Sequence, residues 1–448
     1  MKDTRLNLFD LTMIVISLVI GMGIFRTPMN VAQKAESAQM FFLAWIIGGL
    51  IALCGALTYA EIGSRYPVTG GYYKIFSYCY HPSIAFAINC IILVSNAASL
   101  AGVALIGAEY LANVMFVGRN KDEIETIKLI ISTIAVVTFY GVNLLGLKMS
   151  ARTQNVLTVI KISVVVFLIS ALFTGNYATT NTVPAAAAAG PDFMSILKAF
   201  GACLVAVSFT YGGYQQTINF GGEVQNPSKI LPKGIFFGIA IIMLLYITIN
   251  YTYYKVIGFG TLKEAQSIAA ILAGKLFGEK GFTILSVLLF LSVLAYVNVL
   301  LMSNPRVMYA MSDEGVLPAV FKKVSAKRNV IVVSLSAFAA LSLVTLFYAK
   351  SFDEILNHTI FLDSIGMATS AATIFVLRKR AVGENVKDSY RMKLYPLLPL
   401  IFIGAYLFIG TSIAFNTPKA AWVSAVIFAV FFALYFVLRL LKKSPQPN

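Results

Sequence analysis

At 448 residues, the chain is 58% hydrophobic and only 12% charged, with a mean hydropathy of +0.81. Soluble domains carry about a quarter charged residues, so a water-soluble multidomain protein is excluded and lipid is the expected solvent. The formal net charge of +16 does not indicate nucleic acid, because it gathers in the loops between apolar runs, where lipid phosphate headgroups satisfy it.

Apolar runs of about 20 residues, the length a bilayer core takes, recur from Leu8 to Leu441. They predict an all-α polytopic membrane protein with about 12 transmembrane helices. The first six spans lie near 9–31, 40–63, 82–113, 128–146, 153–174 and 194–221. The second six lie near 231–257, 281–311, 330–349, 354–378, 396–416 and 419–441. The first run contains glycines and lacks a small-residue cleavage site, so it reads as a span and not as a signal peptide. From a cytoplasmic N-terminus, alternating spans place about 22 Lys and Arg inside and about 12 outside, the positive-inside bias. Both termini are then cytoplasmic in a multi-pass protein of the cell membrane. The stretch Thr174 to Pro191, with five alanines from Ala185 to Ala189, reads as an exterior loop separating two halves. Cys54, Cys79, Cys90 and Cys203 show no CxxC or Cys/His ligand spacing, so neither a disulfide framework, a metal nor another cofactor is indicated.

The first span contains Gly21-Met22-Gly23 followed by Pro28, and the sixth contains Tyr211-Gly212-Gly213 followed by Gly221-Gly222. Each opens a block of five spans, and the blocks 9–174 and 194–378 have inverted topology, with 396–441 as two added helices. Either break alone is compatible with helix packing through small residues. Breaks at corresponding positions of two halves point instead to a transporter's binding site. The half-helix starting near Gly23 aims free N–H groups and its positive dipole end at an anion, so a carboxylate is expected against Gly21, Met22 and Gly23. Free carbonyls at Ile20 and across Phe209, Thr210, Tyr211 and Gly212, with Gly213 beyond, suit an ammonium group. Together these groups describe an α-amino acid.

The stretches GMGIFRTP, YAEIGSRYPVTGGYYK, SFTYGGY, GGEVQNPSKILPKG and NPRVMYAMSDEGVLP resemble, in order, those of the amino acid-polyamine-organocation superfamily. Within it they are similar to the L-type amino acid transporters and their bacterial relatives, over nearly the whole chain. The resemblance implies a LeuT-type fold of two inverted five-helix repeats, alternating access, and amino acids held at the first and sixth spans. It also implies that Phe209 is an aromatic lid. Two positions depart from the pattern. Met22 stands where Ser or Thr is usual, and Tyr214 stands at the position of a tryptophan, which makes Phe209 and Tyr214 the candidate gate.

Lys161 lies within the fifth span, in TVIKISVVVFLI, where a buried ammonium is expensive. One reading has it snorkel to the interface, roughly 12 Å along the helix. The other inserts it among the carbonyls of the first break. The family comparison favours the second, since Lys161 matches the lysine that replaces sodium in sodium-independent members, with Ser292 as a candidate second partner. Asp363 in the tenth span and Glu109 in the third are the other acids at possible membrane depth, each a candidate to bind a cationic side chain, with a solvated end near the outer interface as the other reading of Glu109; Asp363 joins Lys161 and Ser292 as a coupling candidate. His81 and His358 read as interfacial. Glu61, Glu223 and Asp313, close in sequence to Arg65, Lys229 and Arg306, are either an interior gate of ion pairs or solvated helix ends.

The resulting expectation is a sodium-independent amino acid exchanger or proton-coupled symporter, with protons as candidate partners and a small neutral amino acid as substrate. A cationic amino acid or polyamine antiporter and a non-transporting amino acid sensor are the alternatives. No GxSxG or HExxH arrangement is present, so an enzyme is not expected.

Overall fold

Inside a bilayer every backbone N–H and C=O must be satisfied within the chain, so uninterrupted apolar runs can only become helices. A computed structural model describes residues 5–116, 118–175, 192–265, 268, 271, 272, 274, 279–325, 328–348, 352–384, 389–416 and 418–442. The first span is two helices, α1 (Leu8–Val19) and α2 (Gly23–Lys34), bent by 41° at the break. Asn7 and Asp10 form a capping box that fixes where α1 starts. Next come α3 (Ala38–Arg65), the short α4 (Gly71–Cys79) and α5 (Pro82–Met115). Ser37 caps α3, and Pro82 opens α5 where its missing N–H costs nothing. The first half closes with α6 (Lys121–Leu144) and α7 (Leu147–Ile169).

The sixth span begins as α8 (Phe193–Tyr211) and continues as tight turns at Tyr214–Asn219 and Gly221–Glu223. The continuous apolar run to residue 221 therefore overstates the helix, because Gly212 and Gly213 leave helical geometry. The chain continues through α9 (Pro227–Thr252), a π turn at Tyr253–Ile257, α10 (Phe259–Glu264) and α11 (Glu279–Asp313). It ends with α12 (Val332–Tyr348), α13 (Phe352–Lys379), α14 (Leu397–Asn416) and α15 (Pro418–Lys442). Among the described residues, ten helices are long and apolar enough to cross a bilayer, joined by the bent α1–α2 pair and the shorter apolar α12. The protein is an all-α polytopic membrane protein. Helix α4, in the loop after the second span, was not expected from the apolar pattern. Residues 176–191, most of the expected exterior loop, and the His358 side chain lie outside the described residues.

The packing places the first break at the centre. Helix α1 lies against α7 and α9, while α11 lies against α5 and α7. Contact of α1 with α9 is close because Gly234 and Gly238 carry no side chain; a Cβ at Gly238 would come within 2.4 Å of Val15 Cγ1. The outer helices face lipid, and α15 exposes Trp422, Val426, Val430 and Val437 along its length.

Candidate substrate-binding site

Helix α1 stops at Val19, and Ile20 takes an extended ψ of 90°. The Ile20 N–H still bonds the Ile16 carbonyl, and Gly21 N–H turns back to the Val19 carbonyl at 2.9 Å. Helix α2 then starts with Met22 at its cap, a side chain that makes no capping hydrogen bond. The N–H groups of Met22, Gly23 and Ile24 consequently have no partner among the described residues, the condition under which a helix start binds an anion. The donor set is thus shifted by one residue from the expected Gly21 to Gly23.

The second break is anchored on the first. The Gly212 N–H bonds the Phe209 carbonyl at 3.2 Å. Gly213 takes a φ of +112° with its N–H on Gln215 Oε1, and a Cβ there would lie 2.3 Å from the Leu18 carbonyl oxygen. Left-handed geometry and close backbone approach both require glycine at this position. We expect Gly213→Ala to push the two breaks apart and to cut uptake at least tenfold at equal protein level. Uptake within twofold of the parent would show that the approach is not needed. The Tyr246 hydroxyl from α9 lies 3.3 Å from both the Val19 and the Thr210 carbonyl oxygens, tying the breaks together.

Lys161 is 1% exposed and its Nζ donates to the Ile20 carbonyl at 2.5 Å. It does not snorkel. Below it, a Ser17–Thr158 hydroxyl pair at 2.6 Å fastens α1 to α7. Ser292 is not a partner of this ammonium, since its hydroxyl donates to Leu288 in its own helix, the usual recourse of a serine in lipid.

The breaks open on a cavity of about 400 Å³ whose lining includes Gly21, Met22, Gly23, Phe209, Thr210, Gly212 and Gly213. It extends along α2 past Arg26 and Asn30 to Lys34. Asp363 lines it as well. Ile20, Tyr211, Tyr214, Lys161 and Ser292 do not. Tyr211 packs edge-on against Trp45 and lies 5.0 Å from the Tyr246 ring. Tyr214 is fully buried against Tyr59 of α3, because the turn at Gly213 swings it behind the break, so it is not positioned as a gate beside Phe209. Sequence reasoning missed Asn96, Ser99, Gln216 and Tyr296, which also line the cavity. Their signal was legible, since uncharged polar groups within apolar runs such as LVSNAASLAG are themselves candidates for a solute path.

At the opposite ends of the spans the acids are paired. Glu61 is fully buried and accepts from Arg65 Nε at 2.7 Å, Arg378 Nε and Nη2 at 2.8 and 2.7 Å, and the Met392 N–H at 2.8 Å. Glu223 pairs with Arg306 at 2.5 Å and Asp313 with Lys74 at 2.5 Å. Glu109 is exposed and pairs with Lys128 at 3.3 Å. His81 caps α5 through its ring nitrogen.

A model of the family described as amino acid permease matches residues 6–440. The chain belongs to this amino acid permease family. The permease is 29% identical to the serine/threonine exchanger SteT of Bacillus subtilis (strain 168), over 92% of this chain and 91% of that protein. It is 26% identical to the human large neutral amino acids transporter small subunit 2, over 87% of this chain and 72% of the relative. A methylthioribose transporter of Bacillus subtilis (strain 168) is 24% identical over 94% of the permease and 90% of its own length. These relatives differ in the solutes for which they are named.

Proposed function

We propose that the permease is a sodium-independent secondary carrier of α-amino acids, working by exchange or proton symport. The observation that carries this reading is the meeting in one cavity of the unpartnered N–H groups of Met22 and Gly23 with the carbonyl ends of α1 and α8. A carboxylate satisfies the first set and an ammonium the second. A solute lacking the carboxylate leaves these donors unpaired, and a buried unpaired donor costs about 1–3 kcal/mol. The names of the serine/threonine exchanger and the large neutral amino acids transporter support a neutral substrate.

Lys161 supports sodium independence, because its ammonium already supplies the positive charge beside the Ile20 carbonyl. In this reading the chain is two inverted repeats, 9–174 and 194–378, with 396–441 added, in the LeuT-type arrangement. With cytoplasmic termini, the cavity running to Lys34 opens outward. The pairs at Glu61, Glu223 and Asp313 close the interior, and rocking of one helix group against the other alternates access.

Counterflow tests the proposal. Proteoliposomes preloaded with unlabelled L-serine are expected to accumulate labelled L-serine transiently and to do so equally when choline replaces sodium. Absence of saturable counterflow across a panel of amino acids would overturn the carrier reading, and collapse in choline would overturn sodium independence. Phe209 is 37% exposed on the cavity and serves as the lid. Phe209→Ala is expected to raise KM several-fold with little change in thermal stability, whereas a packing role would lower stability and leave KM unchanged.

A further inference from the structure

The side chains of the cavity carry a directional pattern. Amide orientation is ordinarily ambiguous, but here it is fixed by a chain that ends on the backbone. Asn304 Nδ2 donates to the Leu300 carbonyl at 3.0 Å, which turns its Oδ1 toward Asn96. Asn96 Nδ2 donates to that oxygen at 2.7 Å, and its own Oδ1 accepts from Gln216 Nε2 at 3.2 Å. All three amides therefore donate in one direction, and the last acceptor of the chain, Gln216 Oε1, is buried with no partner. Reversing Asn304 would set its carbonyl against that of Leu300, reversing Asn96 would set two N–H groups against each other, and reversing Gln216 would set its carbonyl against that of Asn96.

Gln216 and Asn96 line the same cavity as Asp363. No hydrogen bond or ion pair to the Asp363 carboxylate occurs among the described residues. Tyr296 connects this wall to the backbone site, its ring lying 3.8 Å from where a Gly21 Cβ would be and its hydroxyl 2.9 Å from Ser99 Oγ. The wall beside the first break thus holds two acceptor groups without donors, the Asp363 carboxyl and the Gln216 amide carbonyl. An apolar or a carboxylate side chain brings no donor to either.

We propose that Asp363 and the Gln216–Asn96–Asn304 relay form a side-chain subsite that selects amino acids whose side chain donates a hydrogen bond, through a hydroxyl or an ammonium group. The inference rests on the amino acid reading of the cavity and narrows it to donor side chains. Asn304 is a positioning residue, acting through Asn96 on the orientation of Gln216. A site built around unpaired acceptors discriminates strongly against an isostere lacking the donor, whereas an apolar pocket does not.

The test uses two matched pairs on the purified full-length protein, L-threonine against L-valine and L-ornithine against L-norvaline. The readout is the concentration giving half-maximal ligand-induced shift in unfolding temperature. In the parent protein the donor member of at least one pair is expected to bind roughly ten- to a hundredfold more tightly. That ratio should fall toward one in Asp363→Ala and, independently, in Asn304→Ala. Read within each variant, it is insensitive to loss of folded protein. Equal binding within both pairs in the parent, or ratios preserved in both variants, would overturn the subsite and leave the amino acid reading intact. If no amino acid of the four shifts the transition, the amino acid reading fails and takes the subsite with it.

Discussion

Lys161→Ala is expected to reduce counterflow by about a hundredfold or more at equal protein level. The substitution removes a charge-assisted hydrogen bond to the Ile20 carbonyl, ordinarily about 1.5–3 kcal/mol, and leaves that buried acceptor unsatisfied at about 1–3 kcal/mol. The sum corresponds to two orders of magnitude or more in an equilibrium that requires the first break to hold its shape. Lys161→Arg should not rescue it, because a planar guanidinium is no substitute for a compact ammonium in a site with 1% exposure. Unchanged kinetics in Lys161→Ala would refute a role for this ammonium in the transport cycle. The site is sensitive because this nitrogen joins the fifth span to the first at the break itself, beyond the Ser17–Thr158 contact.

The second large effect concerns stability. Glu61→Gln should destabilise the detergent-solubilised protein by about 3–5 kcal/mol, the usual result of stripping one partner from a buried ion pair. Among the described residues the Glu61 carboxylate is the counter-charge shared by Arg65 and Arg378, and it also accepts the Met392 N–H. Neutralising it leaves two guanidinium groups without an anion, one of them stacked 3.6 Å from the Tyr395 ring centroid. The double variant Glu61→Gln/Arg378→Gln should recover part of the loss, since it removes one stranded charge. Denaturant unfolding followed by tryptophan fluorescence measures both. A loss below 1 kcal/mol in the single variant would mean that water already screens these groups.

The two expectations show where sequence reasoning reaches and where it stops. Lys161 is conspicuous as a lysine inside an apolar run, and the sequence left two places for its ammonium, the interface and the first break. Which one it takes depends on α7 meeting α1 beside Ile20. Glu61, Glu223 and Asp313 were legible as charges at span ends, with Arg65, Lys229 and Arg306 as their sequence neighbours. In the fold Glu61 reaches Arg378 as well as Arg65, Glu223 reaches Arg306, and Asp313 reaches Lys74. Tyr214 and Ser292 fail for a related reason. A side chain's direction after an irregular turn such as Gly213 is not a local property, and a serine hydroxyl can close on its own helix.

The sequence by itself determined the solvent of the protein, its all-α polytopic class and the positions of both breaks. Those properties follow from apolar run length, from glycine and proline placement and from the cost of unpaired backbone groups in lipid. The tertiary structure alone decided what the breaks face. It shifted the free N–H groups to Met22, Gly23 and Ile24, joined the Val19 and Thr210 carbonyls through Tyr246, and set the Gln216–Asn96–Asn304 amides in one direction. The Tyr246 tie and the amide relay join residues 36 to 227 positions apart in the chain. No local pattern encodes which helices will meet, so no reading along the chain could assign those partners.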